Sequence, residues 1–535
     1  MPITKIVIEN FKGIGSKVEI PFRPITLLFG ANSAGKSTIL QAMLYVKELL
    51  EGRNVDADRL STSGALLDLG GFGQFVHGRD LNKPIRIEME FTVDADGLEP
   101  YSPFEGDPTT SQMSDARSMI GPIGTASVCI EVKWSHEYFR PFVTEYEVGL
   151  NGEHFASIKA ETARQAFLTD IELQHPILKE QQGDDDEDQF YPNLISQGLK
   201  TLFEGAQYIG PRSLTGTGIA VGTSVIPNWG HPLPVYLGDS YDEAETLNMP
   251  NLVLILSQLM VRTGEHLLRE LREIRYIGPI RRIPERNFQA QRSQSHDRWA
   301  DGSGAWDLIC NSGTGDDWLD TKAIRKLGLG LELEQYRYFE VPVASRLGVL
   351  INVIRASNGN LNREGDTEEG IVASEILGLG ERVRLQLVSG STGLALQPCE
   401  VGVGVSQVLP VALGAMAPGY SVLAVEQPEL HIHPAIQCNL GDLLAAQVIG
   451  GQDRVILLET HSEHLILRLL RRIRENTEGE LPPDAPAISP DHLSVLWVEQ
   501  DNGVVRIEPI PVNAQGDFDG KWPKGFFEER ANELF

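Results

Sequence analysis

One short stretch constrains the fold of this chain more than any other: Gly30 to Thr38, which reads GANSAGKST. An apolar run, Ile25 to Phe29, precedes it, and a run with helical periodicity, Thr38 to Tyr45, follows it. The stretch matches the pattern G-x-x-x-x-G-K-[ST], whose glycines let backbone N–H groups turn inward around a phosphate chain. A strand, a phosphate-binding loop and a helix are therefore predicted in that order.

The residue types in this loop indicate what each part does. The N-terminal end of the following helix attracts anions, Lys36 can reach the outer phosphates, and Ser37 can ligate Mg²⁺. We expect the whole loop to bind the phosphates of a nucleotide: Gly30, Ala31, Asn32, Ser33, Ala34, Gly35, Lys36, Ser37 and Thr38.

Size and composition indicate a soluble globular protein with more than one lobe. The chain has 535 residues and 59.0 kDa, which exceeds one ordinary hydrophobic core. No apolar run approaches the ~18 residues that a membrane-spanning helix needs, and no signal peptide is visible, so no membrane partner is expected. The four cysteines are far apart without C-x-x-C spacing, which favours a reducing cytoplasm over a disulfide framework or a zinc site.

The N-terminal order of elements resembles a known class of ATPases. Strand patterns at 3–9 and 17–20 flank Asn10-Phe11, and a third strand leads into the phosphate loop. This order resembles the N-terminal lobe of RecF, SMC and OLD-type ATPases, which belong to the ABC class and use ATP and Mg²⁺. By the same resemblance, Gln74 is the glutamine that senses the metal and the γ-phosphate, although an ordinary solvent-facing loop glutamine is the alternative.

A glycine-rich segment, Cys399 to Gln407, precedes an apolar run from Val408 to Leu413. A glycine-rich turn at a helix start is a second anion-binding device. It occupies the place of the ABC signature motif, which contacts the γ-phosphate held by another subunit. The resemblance gives that role to Gly404, Ser406 and Gln407, while an N-cap role for Ser406 is equally compatible with the sequence.

A second apolar strand pattern, Val422 to Val425, ends in Glu426 and resembles the Walker B element. Such a strand delivers a carboxylate to the edge of the sheet where ligands bind, and Glu426 occupies the position of the metal-coordinating acid. The next position usually carries a glutamate that activates water, but here it is Gln427. A glutamine can orient water but cannot take its proton, so slow hydrolysis is expected unless Glu429, His461 or the γ-phosphate itself serves as base.

The next strand pattern, Arg454 to Leu458, leads into Glu459-Thr460-His461-Ser462. This turn resembles the switch-histidine region, which places His461 against the γ-phosphate. The resemblance thus predicts four catalytic residues: Glu426, Gln427, Glu429 and His461. It also predicts three residues at the metal: Ser37, Glu426 and Gln74.

The resemblance implies an α/β fold: an ABC-ATPase (P-loop NTPase) head with a mixed sheet and an antiparallel β subdomain, interrupted by a largely helical insertion. The predicted segments are 1–96 and 376–512 for the two halves of the head, 97–375 for the insertion or arm, and 513–535 for a C-terminal tail element. A helix is predicted through Leu252 to Leu271, and residues 284–316 are expected to form a mobile loop.

Among relatives, the motifs look most like bacterial defence ATPases of the OLD-like and PtuA-like type. This implies an ATP-binding, slowly hydrolysing ATPase that forms a head-to-head homo-oligomer and regulates a separate effector, such as a nuclease, in anti-phage defence. A non-hydrolysing nucleotide-gated scaffold and a RecF- or SMC-like DNA-repair ATPase remain alternatives. The arginines from Arg269 to Arg298 are the candidate DNA contact, against a net charge of -28 that repels nucleic acid as a whole. A charged helical face or an acidic partner protein would explain these arginines equally well.

Overall fold

The computed structural model describes residues 3–31, 34–52, 69–94, 97–100, 120–162, 165–178, 219–234, 249–286, 288, 290–291, 297–311, 319–339, 381–449 and 453–519. The chain divides into two compact units. Unit 1 comprises Met1–Tyr276, Gly419–Gln427 and Leu444–Phe535, and unit 2 comprises Ile277–Pro418 and Pro428–Leu443. Sequence segments far apart along the chain therefore fold together within each unit.

The strands of the described residues are β1 Ile3–Glu9, β2 Val18–Pro21, β3 Ile25–Gly30, β4 Ile85–Thr92, β5 Thr125–Ser135, β6 Arg140–Leu150, β7 Glu153–Thr162, β8 Gln165–Thr169, β9 Ile219–Gly222, β10 Ile274–Ile277, β11 Leu331–Phe339, β12 Glu381–Ser389, β13 Ala395–Leu396, β14 Val422–Glu426, β15 Val455–Glu459, β16 Leu493–Asp501 and β17 Val504–Ile510.

The helices of the same residues are α1 Ser37–Gly52, α2 Phe72–Phe75, α3 Met249–Leu256, α4 Arg262–Arg272, α5 Asp297–Ala300, α6 Ser303–Asn311, α7 Thr321–Lys326, α8 Val403–Met416, α9 Pro434–Ile449 and α10 Glu463–Glu478. One π-helical segment, Ser257–Val261, joins α3 to α4. The predicted helix through 252–271 is therefore confirmed, with this π turn inside it.

A mixed six-stranded sheet contains β3, the strand that leads into the phosphate loop. Its strand order is β10-β14-β15-β3-β16-β17, and β14, β15, β3 and β16 run parallel, while β17 pairs antiparallel with β16. β3 and β15 are buried at every position, as expected of parallel strands whose two faces are both covered. Because these strands are parallel, the residues that end β3, β14 and β15 lie along one edge of the sheet.

An antiparallel eight-stranded sheet, in the order β2-β1-β4-β5-β6-β7-β8-β9, is the second layer of unit 1. β4 alternates buried and half-buried positions along its whole length, the pattern of a strand with one face on the core. The mixed sheet and the antiparallel subdomain predicted from the sequence are thus both present. The described part of 97–375 contributes strands to this subdomain as well as helices.

Helix α1 connects the phosphate loop to the core of unit 1. Eleven of its sixteen residues are buried, and it contacts β1 and α4. Tyr45 of α1 packs 5.9 Å from the ring of Phe11 and 5.1 Å from that of Phe75. Full burial of one large apolar side chain stabilises a fold by roughly 1.5–3 kcal/mol, so this aromatic cluster anchors the middle of α1 to the turn after β1.

In unit 2, α8 and α6 pack together, and β11, β12 and β13 form a small antiparallel sheet. Helix α8 begins at Val403 with Gly402 as its N-cap, earlier than the apolar run at 408–413 suggested. Ser406 therefore lies inside the helix, and the N-cap interpretation of this serine is wrong. The expectation of a mobile loop over 284–316 is also wrong in part, because Ser303–Asn311 is a helix whose residues are mostly buried.

Within the described part of the chain, no helix is long and apolar enough to cross a membrane.

Candidate functional site

Two glycines set the backbone of the phosphate loop. A Cβ atom at Gly30 would lie 1.9 Å from the carbonyl oxygen of Val498, so the neighbouring strand leaves no room for a side chain. Gly35 has a φ of 98°, and a Cβ there would lie 2.6 Å from a methyl carbon of Val505. The loop conformation therefore requires glycine at both positions. Asn32 and Ser33 lie outside the described residues.

Lys36 is the centre of the site. Its side chain is 2% exposed, and its Nζ donates to the carbonyl oxygens of Gly30 at 3.1 Å and Ala31 at 2.8 Å. The same Nζ lies 3.2 Å from Nε2 of His461. The loop lysine and the predicted switch histidine, 425 residues apart, are thus in direct contact.

Glu459, which ends β15, is a site residue that the sequence analysis did not single out. Its Oε2 accepts a hydrogen bond of 2.7 Å from Oγ of Ser37, and its Oε1 lies 3.9 Å from Nζ of Lys36. A signal for it exists in the sequence, because the run Val455 to Leu458 ends in an acid as the run Val422 to Val425 does. The resemblance directed attention to His461 instead, two residues further on.

Glu426 ends β14, the strand next to β15, and its Cα pairs with that of Glu459 in the parallel register. The hydroxyl of Tyr276 donates to Glu426 Oε1 at 2.9 Å. Burial lowers the pKa of the Lys12 ammonium, and the negative charge of Glu426 opposes that shift, so Lys12 is a second cation near the site. Lys12 also donates to the side-chain oxygen of Gln41, at 2.5 Å.

His461 is neutral in this environment. Burial, and to a smaller extent the adjacent Lys36 ammonium, together lower its pKa to about 4. Since the ammonium can only donate, Nε2 accepts and the ring proton resides on Nδ1. Ser462 follows as the N-cap of α10, its Oγ accepting from the backbone N–H of Leu465 at 2.9 Å, and this fixes the turn that carries the histidine.

Gln427 has a backbone conformation that is rare for a residue with a side chain. Its φ is 45°, and its N–H donates to the carbonyl oxygen of Glu459 at 2.7 Å. Residues held in such conformations cluster at functional sites because the surrounding structure must enforce them. The hydrogen bond to the end of β15 thus fixes the backbone from which the Gln427 side chain projects.

Gln74 lies in the four-residue helix α2 and is exposed, between the buried Phe72 and Phe75. Its role as a sensor of the metal and γ-phosphate stays a prediction.

The signature residues belong to unit 2. Ser406 is 0% exposed and Gln407 5% exposed, and the Gln407 side chain donates to the carbonyl oxygen of Arg281 at 2.8 Å. A Cβ atom at Gly404 would lie 2.7 Å from the carbonyl oxygen of His431. Glu429 and His433 also belong to unit 2, so the segment after the Walker B strand packs against the first turn of α8.

The described arginines between 269 and 298 are engaged within the protein. Two are buried: Arg275, stacked over Tyr420, and Arg281. The ion pairs of the others are Arg269 with Glu99, Arg272 with Glu51, Arg282 with Asp301, Arg286 with Glu400 and Arg298 with Asp307. Arg292 lies outside the described residues. This pattern matches the charged face balanced by acids better than a surface for nucleic-acid phosphates.

Comparison with known proteins gives two family matches. Residues 1–204 match the family described as AAA ATPase domain. Residues 488–535 match the family described as protein of unknown function (DUF3696). The chain matches no curated protein in sequence.

Solved structures of SMC heads are also similar to the chain. The SMC head domain from Thermotoga maritima is 10% identical with a TM-score of 0.36, over 96% of this chain and 100% of that one. The Smc head domain from Pyrococcus furiosus, with an extended coiled coil and bound to the C-terminal domain of ScpA, is 12% identical with a TM-score of 0.35, over 100% and 99%. At this similarity the assignment depends on the family match and on the geometry of the site.

The N-terminal family match covers the phosphate loop. The site brings that loop together with the predicted His461 and with Glu459, and the predicted Glu426 ends the strand next to Glu459. Residues 1–204 are therefore similar to AAA ATPase domains, and the geometry of the site agrees with the ATPase class that the sequence motifs resemble.

Proposed function

We propose that the chain binds Mg²⁺-ATP at the carboxyl edge of the mixed sheet and hydrolyses it slowly. The observation that carries the proposal is the contact of two neighbouring residues with the end of β15 and the turn after it: Lys36 of the phosphate loop lies against His461, and Ser37, the first residue of α1, donates to Glu459. Lys36 would exchange its contacts with the loop carbonyls for the outer phosphates, and the first turn of α1 would direct its N–H groups at them.

The side chains present fit a magnesium nucleotide. Ser37, Glu426 and Glu459 offer oxygen atoms only, which is the donor type that Mg²⁺ prefers. No group of three or more His, Cys, Asp or Glu that could hold a metal occurs among the described residues. Mg²⁺ takes one or two carboxylates from the protein and completes its shell with water and phosphate. When bound, the ion would neutralise charge on the phosphates.

Slow hydrolysis is supported by the shortage of a strong base. Gln427 cannot accept a proton, and His461, with a pKa of about 4, is a weak acceptor near neutral pH. Glu429, two residues after Gln427, remains the candidate base. If none of these groups takes the proton of water, the chain is a nucleotide-gated scaffold instead, and this is the second candidate function.

Calorimetry with Mg²⁺-ATP and an assay of phosphate release test the proposal together. We expect the wild type to bind and to release phosphate slowly, and Lys36→Ala to lose both. Loss of phosphate release in Glu429→Ala with binding retained would make Glu429 the base. Binding without phosphate release in the wild type would favour the scaffold, and no binding at all would refute the proposal.

We further propose that two heads pair around nucleotide and regulate a separate effector, such as a nuclease, in anti-phage defence. The exposed start of α8, at Gly402 and Val403, and the motif resemblance support pairing, although Ser406 and Gln407 would have to become exposed. Four free cysteines are compatible with a reducing cytoplasm. Co-purification of the tagged chain from its native host, with phage challenge of cells carrying Lys36→Ala, tests this role.

A further inference from the structure

Glu459 adds an acid to the phosphate site that the Walker B position does not account for. The residue is 7% exposed, and its two carboxylate oxygens face Ser37 and Lys36 separately, at 2.7 Å and 3.9 Å. These are the two side chains that a P-loop offers to the metal and to the outer phosphates. The Glu459 carboxylate therefore lies on the side of the loop where a magnesium triphosphate would bind.

A second carboxylate comes from the neighbouring strand. Glu426 and Glu459 are partners in the parallel register, so their Cα atoms are about 4.8 Å apart. The nearby cations are Lys36 and Lys12, while His461 is neutral. Two carboxylates at one edge of a sheet repel an incoming triphosphate, and this repulsion is strong where water is largely excluded.

We propose that Glu459 makes nucleotide binding dependent on the metal: it holds Ser37 in the nucleotide-free site, repels a metal-free triphosphate, and contributes to the metal site once Mg²⁺ accompanies the nucleotide. This inference rests on the proposed function, because it concerns the same nucleotide. Beyond that function, the chain would discriminate magnesium nucleotide from free nucleotide through Glu459, which lies on the strand between the P-loop strand and the Walker B strand.

The purely structural explanation is that Glu459 only orients the Ser37 hydroxyl. The two explanations separate on charge, because a glutamine at 459 keeps an oxygen that can accept from Ser37 but removes the negative charge. Glu459→Gln is therefore the informative variant. Glu508→Gln is its matched control, since Glu508 is exposed on β17 of the same sheet and the change removes the same charge.

The experiment measures the dissociation constant of a fluorescent, non-hydrolysed ATP analogue in two arms, with excess Mg²⁺ and with EDTA. For the wild type and Glu508→Gln we expect tight binding with Mg²⁺ and much weaker binding with EDTA. For Glu459→Gln we expect binding in EDTA to tighten by about tenfold or more, and the gain from Mg²⁺ to shrink correspondingly. A Ser37→Ala variant, which removes the hydrogen bond but keeps both carboxylates, should not tighten binding in EDTA.

Two results would overturn the inference. If Glu459→Gln keeps the metal dependence of the wild type, or if Ser37→Ala tightens binding in EDTA as much as Glu459→Gln does, Glu459 acts only through the hydroxyl, and the proposed function stands. If the wild type binds the analogue in neither arm, the proposed function fails and the inference fails with it.

Discussion

His461 illustrates how burial and one neighbouring charge set the protonation state of a site residue. Its pKa of about 4 lies below the ordinary 6.5 because the ring is partly buried and faces Lys36. The unfolded chain therefore binds a proton between pH 6.5 and 4 that the folded chain does not. This residue's contribution to the free energy of unfolding is fully present above pH 6.5 and is lost as the pH falls towards 4.

Removing the neighbouring cation should raise the pKa of His461 part of the way towards 6.5, because burial, the larger cause of the shift, remains. Lys36→Met keeps an apolar stem of similar length, so burial changes little while the charge is lost. The pKa is measured from the imidazole carbon resonances in a pH titration by NMR, with Glu508→Gln as the control that leaves it near 4. An unshifted pKa in Lys36→Met would mean that burial alone lowers it.

Gln427 is the second residue whose identity limits the chemistry. Restoring the acid with Gln427→Glu should raise the rate of phosphate release by about a hundredfold, the lower end of what a positioned general base contributes. Its backbone, held by Glu459 at a φ of 45°, is unchanged by this substitution. A single-turnover assay separates chemistry from nucleotide exchange. Should the rate stay at the wild-type level, the proton of water is taken elsewhere.

At the scale of elements, Arg281 holds the second turn of α8 through Gln407. It is 2% exposed; its guanidinium donates to the carbonyl oxygen of Gln407 at 3.3 Å, and its carbonyl oxygen accepts from the Gln407 side chain at 2.8 Å. Arg282, beside it, pairs with Asp301 through a side chain that is 77% exposed. Adjacent arginines thus have different structural roles.

Arg281→Ala should lower the free energy of local opening of α8 by about 2–3 kcal/mol, because buried hydrogen-bonding groups lose their partner. Arg282→Ala should change it by no more than about 0.5 kcal/mol, as exposed substitutions usually do. Amide hydrogen exchange in the first two turns of α8 gives both values. If both variants lost duplex DNA binding to the same extent while hydrogen exchange stayed unchanged, these arginines would belong to a nucleic-acid-binding surface instead.

The elements show which inferences a sequence supports. β3, β14 and β15 were recognisable because parallel strands buried on both faces are continuous apolar runs, and Lys36, Glu426 and His461 follow from the motifs at their ends. Arg281 was not recognisable, because the burial of a charged residue depends on partners far away in the sequence, here Gln407. The first turn of α8 was missed for a similar reason: Gly402 and Gly404 are poor helix formers, and packing against the carbonyl of His431 outweighs that propensity.

At the scale of the whole molecule, charge opposes self-association. Each copy carries a net charge of -28, so two copies repel each other electrostatically. At physiological ionic strength, salt screens this repulsion beyond a distance of ~8 Å. Pairing of two heads therefore needs a favourable contribution to the free energy of association that is available only when nucleotide is bound. Magnesium nucleotide, held by Lys36 on one head and contacted by the signature segment of the other, would supply it.

The wild type should accordingly double its mass from 59.0 kDa when a non-hydrolysed ATP analogue and Mg²⁺ are added. The fraction of paired chains should increase as salt rises to moderate concentrations, because salt screens the repulsion. Lys36→Ala should keep the mass of a single chain under all these conditions, while Glu508→Gln should behave as the wild type does. Analytical ultracentrifugation gives the masses, and hydrogen exchange at Ser406 and Gln407 reports whether these buried residues take part. If the mass doubles without nucleotide, or equally in Lys36→Ala, the chains associate through another surface and nucleotide does not control it.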